Sequence, residues 1–140
     1  MNIRNSLKWL PWVVVILVLT GIFVGSTQAF GSSSTELFFG RYNHIARKAA
    51  HFAEYAVLFF SLNWALNFAM RGRWSLQTAL ATFFGCVIYA MSDEWHQAFV
   101  PGRGPSAHDV VIDSAGALFA LVCWLIVTRL IRRQRQTPPS

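Results

Sequence analysis

The sequence predicts an all-α fold, a polytopic membrane protein whose roughly four transmembrane helices pack as an antiparallel bundle. Three observations carry that prediction. The 140 residues are 54% hydrophobic and only 13% charged, against about 25% charged in ordinary globular domains. The charges fall in clusters that leave four long apolar intervals between them. The basic residues also gather at alternate interval ends. With no water in a bilayer core, backbone polar groups must be satisfied within each segment, so long apolar runs there form helices.

The expected spans cover residues 9–24, 48–70, 76–98 and 108–130, all within one domain of residues 1–140, and 131–140 follows as a basic tail. The second span carries His51, Glu54, Asn63 and Asn67, so that side should face other helices rather than lipid. A soluble bundle would need charged outer faces at a 3.6-residue period, and stretches 13–18 and 115–127 have none. Cys86 and Cys123 lie inside spans, where buried packing is expected rather than a disulfide framework. Gly and Ser in residues 25–40 favour a loose connection.

Twelve Lys and Arg oppose six Asp and Glu. If the spans alternate, Arg4, Lys8, Arg71, Arg73, Arg129, Arg132, Arg133 and Arg135 share one side. The positive-inside rule then makes both termini cytoplasmic in a multi-pass cell-membrane protein. The basic excess reads as topology and attraction to membrane lipids, not nucleic-acid binding. The N-terminal Arg4, Lys8, apolar run and Thr27-Gln28-Ala29 also admit a signal-peptide reading, which would leave three spans.

All six acids and all four His lie between residues 36 and 113. His44, Lys48, His51 and Tyr55 recur along one helical stripe, with Glu54 one turn from His51. Asp93, His96 and Gln97 share a face beside Glu94, and Asp109 and Asp113 are spaced by four. The turn Pro101-Gly102-Arg103-Gly104-Pro105 can aim Arg103 back at the helix ends. Lys48, His51, Glu54, Tyr55, Asp93, Glu94, His96, Gln97, Arg103, Asp109 and Asp113 therefore form one candidate ligand-binding set near the outer face. Ionisable groups so close to hydrocarbon point to function unless they are paired.

Four readings compete. Lys48 and Arg103 can hold a phosphate or carboxylate, or simply neutralise the acids and lock the bundle. His51 with Glu54 and Asp93 with His96 imitate metal-ligand pairs, yet Lys48 and Arg103 oppose a cation, so no metal or other cofactor is expected. His51 or His96 can carry protons in hydrolysis of a lipid-linked phosphate. Pro105-Ser106-Ala107-His108 resembles a fragment of membrane phosphatidic-acid-type phosphatases, but the other elements of their signature are missing.

Lys48-x-x-His51-x-x-Glu54-Tyr55, Ser92-Asp93-Glu94-Trp95-His96-Gln97-x-Phe99-x-Pro101-Gly102-Arg103 and Asp109-x-x-x-Asp113-x-x-Gly116 together resemble the VanZ-like family. Gly25-Ser26-Thr27-Gln28 is similar to that family's loop entry. The resemblance implies a multi-pass bacterial membrane protein whose namesake is associated with teicoplanin resistance, and it implies no reaction. The expectation is an outward-facing polar pocket for an anionic cell-envelope component, a lipid-linked phosphate or peptidoglycan precursor. A hydrolase or transferase acting on such a lipid, or a partner-binding membrane subunit, is the alternative.

The orientation is testable. Reporter fusions after Arg73 and after Ser140 should both read cytoplasmic, and an external reading after Arg73 overturns the assignment.

Overall fold

The computed structural model describes residues 7–26, 40–70, 75–100 and 106–136. Among them the fold is all-α, with four helices and no strand: α1 (Leu10–Gly25), α2 (Asn43–Ala69), α3 (Leu76–Gln97) and α4 (Ala107–Gln136). Short 3-10 turns at Leu7–Trp9 and Gly40–Tyr42 lead into α1 and α2.

The helix starts follow local chemistry. Pro11 sits in the first turn of α1, where its missing N–H is no loss. Ser75 is extended (φ −121°) and its hydroxyl accepts the Thr78 N–H at 3.1 Å, capping α3. Ser106 accepts the Asp109 N–H at 3.3 Å ahead of α4. Two helices exceed their expected spans. α2 opens at Asn43 rather than near residue 48, and α4 continues through 136, so residues 131–136 of the basic tail are helical. Arg and Gln are good helix formers, and no proline interrupts them before Pro138.

The helices alternate in direction. Ser26, at the end of α1, meets Asp93 near the end of α3, while His51 early in α2 meets Asp113 early in α4. Glu54 of α2 lies beside Gly25 of α1. The C-terminal ends of α1 and α3 and the N-terminal halves of α2 and α4 thus share one end of the bundle.

The core joins Ile22 of α1, Tyr55, Leu58 and Phe59 of α2, Ala79, Cys86 and Ala90 of α3, and Ala117, Ala120, Leu121 and Trp124 of α4. Small residues let backbones approach. The closest approach is at Gly116, where an added Cβ would lie 2.1 Å from the Phe52 carbonyl oxygen. Both cysteines are free, Cys86 buried and Cys123 partly so.

The polarity of the bundle is inverted relative to a water-soluble one. Asn63, Asn67, Thr82, Asp93, Glu94 and Asp113 are buried, whereas Ile16, Leu17, Phe84, Ile88, Phe119 and Ile126 are exposed. Deep polar groups of α2 and α3 bond within their own helices: Asn67 Nδ2 donates to the Asn63 carbonyl at 2.6 Å and Thr82 Oγ1 to the Thr78 carbonyl at 2.8 Å, while Asn67 Oδ1 has no hydrogen-bond partner among the described residues. By length and composition, one helix of the described residues, Ala107–Arg135, suffices to cross a membrane, and Leu10–Gly25 is apolar but shorter. At 1.5 Å per residue, the 16 residues of α1 reach about 24 Å. The polar residues of α2 and α3 dilute their apolar surface.

Gly116→Ala should destabilise the protein by about 3 kcal/mol or more, because backbone rather than a flexible side chain blocks the new methyl. Gly85→Ala, whose Cβ would meet only Leu62 Cδ2 at 3.6 Å, should stay near wild type. Thermal unfolding of both in one detergent checks this, and equal midpoints would refute the close α2–α4 contact.

Candidate functional site

Most of the expected site residues converge on the end where α1 and α3 finish and α2 and α4 begin. Each reaches it for a local reason. His51 and Tyr55 are one turn apart on α2, Glu94 and Gln97 are three apart on α3, and Asp109 and Asp113 are four apart on α4.

Asp93 is buried and fully satisfied by neutral donors. The Ser26 hydroxyl donates to its Oδ1 at 2.8 Å, while also lying 2.9 Å from the Phe23 carbonyl. Gln97 Nε2 donates to Asp93 Oδ2 at 3.0 Å. Such bonds to a charged acceptor exceed neutral ones in strength. Ser26 was not among the expected site residues, although Gly25-Ser26 stood out as a loop entry.

Glu94 reaches across to α4. Its Oε1 accepts the backbone N–H of Ser106, the residue that caps that helix. Ser106-Ala107-His108-Asp109 has the spacing of a capping box, but the N–H that Asp109 would take in such a box goes to a carboxylate from another helix. The second oxygen, Glu94 Oε2, is buried without a hydrogen-bond partner.

Asp113 is almost fully buried and stands 3.3 Å from His51 Nδ1, a contact between side chains 2% and 15% exposed. Neither of those two atoms has an aligned hydrogen-bond partner. The buried Tyr55 hydroxyl and His96 Nδ1 are likewise unpartnered. The Tyr55 ring lies 6.2 Å from that of Tyr89, whose hydroxyl donates to the Leu19 carbonyl at 2.9 Å. The His96 ring lies against Phe23 of α1, with centroids 4.5 Å apart. Glu54 is half-buried and within electrostatic range of His51, Asp93 and Asp113, and Glu94 within range of Asp93, Asp109 and Asp113.

The cations are placed differently. Lys48 is half-buried on the first turns of α2 and forms no ion pair among the described residues, so it does not neutralise Glu54, Asp93, Asp109 or Asp113 directly. Arg103 and its Pro-Gly turn lie outside the described residues, as do Glu36, Arg4, Arg71, Arg73, residues 27–29 and the His44 side chain. Among the described residues, no three His, Cys, Asp or Glu side chains are arranged to hold a metal ion.

A family model described as VanZ/LLP1 matches residues 6–128. The three motif segments that resemble VanZ-like proteins all lie within that match. No curated protein and no solved structure matches the chain.

The Ser26–Asp93 tie has a measurable consequence. Ser26→Ala should cost about 1.5–3 kcal/mol of stability, the range for a hydrogen bond to a charged group. Ser92→Ala is the control, since its exposed hydroxyl bonds only the Tyr89 carbonyl and its loss should stay within about 0.5 kcal/mol. Equal unfolding midpoints for the two variants would remove Ser26 as the link between α1 and α3.

Proposed function

The chain belongs to the VanZ/LLP1 family, and on that premise we propose that it is a four-span membrane protein binding an anionic, hydrogen-bond-donating component of the cell envelope. A lipid-linked phosphate bearing a sugar or peptide head, the chemistry of a peptidoglycan precursor, fits best. The apolar exterior and the buried polar residues support membrane insertion of all four helices, α2 and α3 included, because their polar side chains face inward. The location is the cell membrane, with the site at the outer face.

The observation that carries the binding reading is the set of buried polar atoms left without a hydrogen-bond partner among the described residues, Tyr55 Oη, Glu94 Oε2 and His96 Nδ1, beside His51 Nδ1 and Asp113 Oδ1, which meet each other at 3.3 Å without an aligned hydrogen bond. They come from α2, α3 and α4. Native interiors pair nearly all such atoms, so several orphans at one end of a bundle call for a polar occupant. Carboxylates and a hydroxyl suit the donors of a sugar or amide, and Lys48 and Arg103 supply the charge for its phosphate. Asp93 stands apart from this role, because its oxygens are already used by Ser26 and Gln97. A link to glycopeptide resistance would follow from sequestering or altering such a precursor.

A second reading, a hydrolase or transferase acting on the same lipid, rests on the His51–Asp113 contact at 3.3 Å. A buried carboxylate beside an imidazole is how a general base is oriented. Phosphate release from a polyprenyl diphosphate, abolished in His51→Gln, would favour it.

The test measures retention of polyprenyl-linked phosphate by purified wild type, Asp113→Asn and Arg103→Lys. Asp113→Asn should bind about tenfold more weakly, the equivalent of one lost hydrogen bond of about 1.4 kcal/mol. Arg103→Lys should also weaken binding while leaving the unfolding midpoint unchanged, since Lys keeps the charge but loses the bidentate fork. Wild-type retention by both variants would overturn the proposal and leave the cluster a structural charge balance.

A further inference from the structure

The opposite end of the bundle carries a second feature, a cavity of about 180 Å³ between the first turn of α3 and the C-terminal third of α4. It is lined by Leu76, Trp124, Leu125, Thr128, Arg129 and Arg132. Leu125, Thr128, Arg129 and Arg132 are spaced by three, one and three, so they form one stripe of α4. The stripe is graded. It begins apolar, passes through a hydroxyl-bearing residue and ends in two guanidinium groups, all within about 10 Å at 1.5 Å per residue.

That order matches a phospholipid read from the membrane outward: acyl chain, glycerol ester, phosphate. The depth is also right. The 30 residues of α4 span about 45 Å, beyond a hydrocarbon core of about 30 Å, so its arginine-bearing end reaches the headgroup layer. Thr128 Oγ1 is bonded to the Trp124 and Leu125 carbonyls of its own helix, and two guanidinium groups line the cavity beside it. Both arginine side chains are exposed, and Trp124 is buried to 8% exposure, giving the cavity a fixed apolar floor.

We propose that this cavity is a binding site for one anionic phospholipid, its phosphate held by Arg129 and Arg132 and its upper acyl region resting on Trp124, Leu125 and Leu76. The site lies at the cytoplasmic face in the proposed orientation. It rests on the membrane reading, but not on the His51–Asp113 cluster at the other end. Arginine suits the task because its planar fork grips two phosphate oxygens at once.

The full-length protein in neutral detergent is titrated with dioleoyl phosphatidylglycerol, dioleoyl phosphatidylcholine or inorganic phosphate, and the unfolding midpoint is read. Phosphatidylglycerol should raise the wild-type midpoint saturably by about 3–5 °C, and phosphatidylcholine and inorganic phosphate should not. Arg129→Gln/Arg132→Gln should lose the shift. Arg133→Gln/Arg135→Gln removes the same charge from exposed positions that do not line the cavity and should keep it. Native mass spectrometry should find one retained phosphatidylglycerol in wild type and none in the first double variant, which separates loss of binding from a change in folding. An equal shift with phosphatidylcholine, an equal loss in both double variants, or a shift produced by inorganic phosphate alone would each overturn the lipid site. The first points to apolar filling, the second to diffuse electrostatics and the third to a free-phosphate site.

Discussion

Carboxylates buried at one end of a helical bundle must each find donors, and that requirement ties the four helices together. Asp93 joins α3 to α1 through Ser26. Glu94 joins α3 to α4 through the Ser106 backbone. Asp113 joins α4 to α2 through His51. These three acids connect all four helices, each across a different helix pair. These polar links and the close packing at small residues set the arrangement. The same links fix which helix ends share a face.

Below that ring the constraint changes from pairing to fit. Asn67, Thr82 and Ser61 bond carbonyls of their own helices. Packing is then governed by small residues, with Gly116 against the Phe52 carbonyl as the tightest point. Phe52 and His51 are adjacent on α2, and Gly116 follows Asp113 by one turn of α4. The close approach therefore holds the His51–Asp113 contact in register: a wider helix separation would part the imidazole from the carboxylate.

Much of this was legible in the sequence because helical periodicity is local. The spacing of His51, Glu54 and Tyr55 placed them on one helix, and that of Asp93 and Gln97 placed two residues that do bond each other. Four long apolar intervals gave four helices. What periodicity cannot supply is the partner of a group on another helix. Ser26 and Asp93 lie 67 residues apart, and nothing local distinguishes a serine that closes a loop from one that satisfies a buried acid. Glu94 taking the Ser106 N–H is hidden for a similar reason, since Asp109 stands where a local capping partner would be. The extension of α4 to residue 136 was missed because a run of arginines was read as a tail, whereas arginine favours a helix in any setting where its charge reaches water or headgroups.

Pure charge balance would have set Lys48 against the acids, since an exposed or half-buried ion pair is the simplest way to hold a carboxylate near lipid. The bundle instead satisfies Asp93 with a hydroxyl and an amide and Glu94 with a backbone N–H, and Lys48 is in no ion pair with the described residues. Neutral donors stabilise a carboxylate without cancelling its charge. The ring is therefore held by hydrogen bonds across helices and not, among the described residues, by ion pairs to Lys48.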